Sequence, residues 1–278
     1  MAHIQKLTIR KPAVAGMFYP SQKKEIEKML NGFFKSVNAD EKFSRLKANL
    51  KLKNIHGIIV PHAGWIYSGG VAAHAYELVR KANIKRVILL GPNHTVYIDR
   101  AVLDENEFWE TPMGKVKLLK EKTQGLLKEK YLFIQTSGPH EREHDLEVQV
   151  PFLQYLFKEF DILSIIIGDM SMKELERVAD CLLENYNGEE TLFVISTDLS
   201  HYQPQETAEK LDRNTIKIIE TIDVEKADKM DACGRNPLII AMFLCKKLGV
   251  TPVTLKYATS GDVSGDYSGV VGYVSMVF

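Results

Sequence analysis

Cys233 stands alone in the stretch DACGRNP, residues 231–237. A lone cysteine can be a nucleophile, a metal ligand or an ordinary buried thiol, and its partners decide which. Three histidines qualify by position. His62 lies in PHAGWIYSGG just past the β-branched run NIHGIIVP, and His94 lies in GPNHT just past IKRVILLG. His201 shares STDLSHYQP with Asp198, past TLFVISTD. In open α/β sheets the carboxyl ends of strands frame the crevice where ligands bind. Three strand-to-loop junctions that carry histidine therefore form a candidate site, with Gly and Pro allowing tight turns and close backbone approach.

His144, in GPHEREHDLEVQVP, is a further candidate. It is spaced i,i+3 from Glu147, so the two share a face if the segment is already helical. Glu-x-x-His pairs ligate metals in bundle proteins, but here the order is reversed and no second copy occurs. His140 reads as part of a helix start. His3, His56 and His74 read as hydrogen-bonding, packing or capping residues, and Cys181 and Cys245 as buried thiols within helical patterns. Cys233, His201 and Asp198 could instead form a nucleophilic triad, which would leave His62 and His94 idle. GWIYSGG matches neither phosphate-binding glycine pattern. SGDVSGDYSG lacks the EF-hand spacing and its terminal Glu, and reads as a long hairpin or loop over the site.

The elements that must position these residues alternate along the chain. The runs at 54–61, 84–91, 160–168 and 191–198 are short, β-branched and bounded by Pro, Gly or Asp, as buried strands are. PVTLKYATSG and GVVGYVSMVF add two C-terminal strands. Helical patterns lie between them: SQKKEIEKMLNGFFKSV with Ser21 as N-cap, GGVAAHAYELVRKA, HDLEVQVPFLQYLFKEF with Pro151 in its first turn or at a kink, SMKELERVADCLLENY, TAEKLDRNTIKIIETI, and NPLIIAMFLCKKLG stopped by Gly249. This order predicts one three-layer α/β domain over 1–278, its central sheet mixed by an antiparallel C-terminal pair and flanked by helices.

Composition narrows the function. An apolar share of 45% in 278 residues can build a real core. Lys+Arg and Asp+Glu are both 36, and this balance gives no support to nucleic-acid binding. The basic residues Lys51, Lys53, Lys81, Lys85 and Arg86 read as solvated surface. No apolar run reaches membrane-spanning length and no secretory h-region opens the chain, which predicts no membrane association. Three cysteines without C-x-x-C spacing indicate free thiols and a cytoplasmic location.

The motifs AVAGMFYP, VPHAGWIYSGGVAAHAY, LLGPNHT, EREHDLEVQVPFL, STDLSHY and CGRNP, in this order and over nearly the whole chain, resemble the Memo-like family. That family is structurally similar to class III extradiol ring-cleavage dioxygenases, which implies one α/β domain with its site at one end of the sheet. The dioxygenases hold Fe(II) with two histidines and a glutamate. The resemblance therefore implies His62 and His94 as metal ligands, Cys233 in place of the carboxylate, His201 as acid/base with Asp198 beside it, and His144 facing the same pocket toward substrate. Two histidines and a thiolate are a softer set, suited to copper or zinc at least as well as to iron. The expected function is a metal-dependent oxidoreductase on an unidentified small-molecule or peptide ligand. The alternative is a non-catalytic binding module for an anionic or phosphorylated peptide or small ligand.

Overall fold

The computed structural model of the chain describes residues 7–50, 55–185 and 188–278. His3, Lys51 and Lys53 lie outside the described residues. Among the described residues the strands, in chain order, are β1 (Ile9–Arg10), β2 (Gly57–Val60), β3 (Arg86–Pro92), β4 (Ala101–Leu103), β5 (Phe108–Thr111) and β6 (Gly114–Leu118). They continue with β7 (Phe133–Gln135), β8 (Asp161–Ile167), β9 (Thr191–Ser196), β10 (His201–Gln203), β11 (Val253–Thr259) and β12 (Val270–Val277). The helices are α1 (Lys23–Ala39), α2 (Glu41–Asn49), α3 (Trp65–Val79), α4 (Lys120–Leu126), α5 (Gly138–Arg142), α6 (Val150–Leu156), α7 (Met172–Glu184), α8 (Gln205–Glu220), α9 (Arg235–Leu248) and α10 (Gly261–Ser264).

The strands join in one sheet in the order β1-β5-β6-β8-β3-β9-β2-β12-β10, with β11 on β12 and the β4–β7 pair on the second half of β8. Neighbours β8, β3, β9 and β2 run parallel, whereas β12 is antiparallel to both β2 and β11. The sheet is thus mixed, as the sequence predicts. Its central strands are mostly apolar because both faces are covered. Ile58, Val60, Val87, Leu89, Leu192 and Val194 enter a core with α1, α3 and α6. Ile59, Ile88, Leu90, Phe193 and Ile195 alternate with them and enter a second core with α7, α8 and α9. The result is the expected three-layer α/β fold.

Several boundaries differ from the sequence reading. Helix α1 begins at Lys23 with Gln22 as an N-cap that makes no side-chain bond. Ser21 sits one residue too early to reach the free amides of the first turn. The helix expected from His144 onward is shorter: a 3-10 turn over Glu147–Gln149 leads into α6, with Pro151 in its first turn. Gly249 does close α9, in the left-handed conformation with φ +68°. SGDVSGDYSG forms the β11–β12 hairpin connection, and Tyr267 within it accepts from the Gln205 amide beside the His201 strand. No helix among the described residues is long and apolar enough to cross a membrane.

The topology places the candidate residues together. Strands β3, β9 and β2 are adjacent, and the pairings Leu90–Ile195 and Val60–Ser196 keep their carboxyl ends level. From β2 the chain leaves to α3 on one face. From β9 it proceeds to α8 and α9 on the other. Loops that depart to opposite faces open a crevice between adjacent strand ends.

Candidate metal centre

His62 follows β2 directly, and its backbone amide donates to Asp198 Oδ1 over 2.8 Å. Its ring is fully enclosed, with 2% of the residue exposed. Nδ1 lies 3.1 Å from Ser196 Oγ. The surrounding network assigns the proton. Ser196 Oγ donates to the Asp145 carbonyl (2.8 Å), so it accepts from the Gln149 amide nitrogen (3.0 Å) and from His62. Gln149 is itself oriented, because Tyr76 donates to its Oε1 (3.0 Å) and its nitrogen donates to the Pro61 carbonyl (2.9 Å). His62 therefore carries its hydrogen on Nδ1 and presents the Nε2 lone pair to Cys233 Sγ, 3.2 Å away.

The other imidazoles are set the same way. His94 Nδ1 donates to Glu143 Oε1 (2.8 Å), and its backbone amide donates to Oε2 (2.8 Å). His144 Nδ1 lies 3.2 Å from the same Glu143 Oε1. His201 Nδ1 donates to the Leu199 carbonyl over 2.8 Å. All four rings turn Nδ1 to a protein acceptor, which leaves Nε2 for a ligand or a proton. The rings of His62, His94 and His144 pack with centroids 4.8 to 5.3 Å apart, and Phe18 covers His144 at 4.6 Å.

Cys233 arrives from the far side of β9. Its amide donates to the Asp198 carbonyl (3.3 Å), and the Asp198 amide donates to Sγ (3.2 Å). Gly234 is required next. A Cβ there would stand 2.6 Å from Thr197 Cβ and Oγ1, so only glycine brings the start of α9 this close to the end of β9. One ligand atom each from His62, His94 and Cys233 then lies within 4.8 Å of the other two. A second group with the same closeness is His94, Glu143 and His144.

Of the three donors, His62 is buried, Cys233 half-buried and His94 exposed. Burial, reinforced by the charges of His144 and His94, holds His62 well below its ordinary value and keeps it unprotonated. Burial, then the Asp198 charge, pushes the Cys233 thiol up, although the Asp198 amide and Thr197 oppose the shift. Without a cation the sulfur keeps its proton, which weighs against a free nucleophilic thiolate. Asp198 is pushed up to about 6 by burial, against the bonds from the His62 and Ala63 amides and the influence of His201. Burial opposes charge on Glu143, yet hydrogen bonds from His144 and His94 outweigh it and hold the carboxyl well below its usual range.

All six candidate residues are thus at one end of the sheet. His62, His94 and Cys233 converge, and His144 packs against the two histidines. Asp198 braces the His62 loop and exchanges backbone bonds with Cys233. His201 is half-buried beside Tyr202, which holds a left-handed φ of 58° at a bulge between His201 and Gln203. Glu147 does not join them. It pairs with Arg10 at 2.6 Å and accepts from the Ala13 and Val14 amides and the Tyr19 hydroxyl. His140 is buried between the Val102 carbonyl and Ser164, and His74 bonds within its helix to the Gly70 carbonyl. Sequence reasoning missed Glu143, whose one local signal is a carboxylate adjacent to His144. It also missed the Ser196–Gln149 support of His62.

A sequence profile described as Memo-like protein matches residues 10–277. Among curated relatives, a MEMO1 family protein of Nitrosopumilus maritimus is 38% identical, covering 97% of this chain and 99% of its own length. A MEMO1 family protein of Methanosarcina barkeri is 37% identical over the same shares. One from Thermoplasma acidophilum is 33% identical over 96% of this chain and 98% of its own.

Proposed function

The chain belongs to the Memo-like family, and from that premise we propose that it is a metal-dependent oxidoreductase whose non-haem iron or copper ion is held by His62, His94 and Cys233. The observation that carries the proposal is the convergence of these three donors within 4.8 Å, with both imidazoles already turned to offer Nε2. Two imidazoles and a thiolate fit copper, iron or zinc, and three protein donors leave positions open. The ion would supply redox and Lewis-acid chemistry. The protein supplies the rest. Glu143 and Ser196 fix the ligand tautomers, and the enclosure of His62 excludes water from that side of the cluster. His201 holds or accepts a proton at Nε2, Asp198 keeps the His62 and Cys233 loops in register, and His144 faces substrate.

The test is metal analysis of anaerobically purified and anaerobically loaded protein, with anomalous scattering to locate the ion. The expected result is about one iron or copper per chain, lost in His62→Ala and Cys233→Ala while the far-UV spectrum is kept. Well-folded protein that takes up no redox metal would sink the proposal. A second reading, a non-catalytic module for an anionic or phosphorylated peptide or small ligand, draws support from the three packed imidazoles. Ligand binding that survives complete metal removal favours it. Strict dependence on metal counts against it.

A further inference from the structure

We propose that the cleft beyond Cys233 binds a small organic monocarboxylate and that Arg235 pairs with the carboxylate; this rests on the reading that chemistry occurs at the His62, His94 and Cys233 cluster. The cleft has a volume of about 340 Å³, in the range of small-molecule sites. Cys233 lines it, so a molecule held there lies against the proposed metal ligand. Ile98, Ile167 and Pro237 give its walls apolar surface for a carbon skeleton. The walls are braced before any ligand arrives, because Asn236 Nδ2 donates to the Gly168 carbonyl across the cleft at 2.8 Å. Gly168 itself carries the β8 end under the 98–100 segment, where a Cβ would overlap the Ile98 and Arg100 carbonyls.

Arg235 is the cation of this cleft. Arg10, Arg86, Arg100, Arg177 and Arg213 each pair with a carboxylate. Arg235 has neither an ion pair nor a side-chain hydrogen bond among the described residues, although it lines a cleft wall. A guanidinium offers a planar fork of donors that matches a carboxylate. Asp169 lines the same cleft without reaching Arg235, and its negative charge selects against ligands of higher charge. The combination favours a single carboxylate on a compact apolar body over a phosphate dianion.

Calorimetric titration of the intact protein with benzoate, benzamide and inorganic phosphate tests this, since the first two share shape and differ in charge. Benzoate is expected to bind about ten-fold or more tighter than benzamide, and phosphate more weakly than benzoate. Arg235→Gln should remove the benzoate preference and leave benzamide unchanged, and Asp169→Asn should tighten benzoate. Equal affinity of wild type for benzoate and benzamide, or benzoate affinity unchanged in Arg235→Gln, overturns the proposal. Titrating metal-free and iron- or copper-loaded protein separates the two readings. Benzoate preference in protein that takes up no metal defeats the metal reading alone. Metal uptake without benzoate preference defeats this one alone.

Discussion

Glu143 serves two imidazoles with one carboxylate, accepting from His94 and His144 and from their backbone amides. Outer carboxylates of this kind raise the basicity of a ligating imidazole and fix its ring, and their loss typically weakens metal binding roughly 10- to 100-fold. Glu143→Gln keeps the size and removes the charge. Its expected outcome is a drop of that order in metal affinity, read by competition with a chromophoric chelator, with the fold intact. Unchanged affinity would show that Glu143 does not orient His94. His62, His94 and Cys233 were legible because strand ends and the family motifs mark them. Glu143 was not, because it acts on His94 across 49 residues of sequence, and a lone glutamate in a charged run resembles solvated surface.

The elements around the site are tied by a contact between β1 and the segment that runs from α5 to the 3-10 turn before α6. Arg10, from β1, donates to the carbonyls of His140 and Glu143 and pairs with Glu147, all within 2.7 Å and all buried. Glu147 in turn gathers Ala13, Val14 and Tyr19. Removing one partner leaves the other charge buried and uncompensated, which typically destabilises by about 3–5 kcal/mol. Arg10→Met should lower stability by that amount in urea denaturation. Combining it with Glu147→Met should cause less loss than the two single changes added together. Additive losses would mean that the two side chains act independently. This clamp explains what sequence periodicity could not show. The segment at 143–146 has its polar groups committed to Arg10, His94 and β9, so the helix starts only where Pro151 permits. The strands read correctly were β2, β3, β8, β9 and β12, buried almost throughout, and β11, half-buried but seven residues long. Strands β1, β4, β7 and β10 escaped because two or three residues carry no period, and β5 and β6 because their faces are only partly buried.

At the scale of the molecule, one sheet shared by two cores makes acid stability a collective property with an identifiable contributor. His140 lies under the sheet between Val102 and Ser164, with Asp104, Arg10 and Glu143 as its charged surroundings. Burial pushes it down to about 4 from an ordinary 6.5, against the influence of Asp104 and of the Val102 carbonyl. The unfolded chain therefore takes up the proton first. This contribution is fully present above pH 6.5 and is lost as pH falls toward 4, by up to about 3 kcal/mol. His140→Gln cannot titrate, so its urea midpoint should fall less between pH 7 and pH 4.5 than that of wild type. Identical pH slopes would remove His140 from the account. The three-layer order of the molecule was legible from the alternation of apolar runs and helices, but strand order was not, since pairing depends on contacts far apart in the chain.

That pairing also sets a timetable. Strand β2, which delivers His62, is bonded on one side by β9 and on the other by β12. During synthesis on the ribosome, residues 57–60 therefore wait for residues 191–196 to emerge, and for the last strand of the chain before their second edge is closed. Cys233 appears between those two events. The donor set is complete only once residue 233 has emerged, so the proposed ion would be captured only after that point. Until β12 emerges, one edge of the apolar strand β2 stands unpaired, and unpaired strand edges make incomplete chains aggregation-prone.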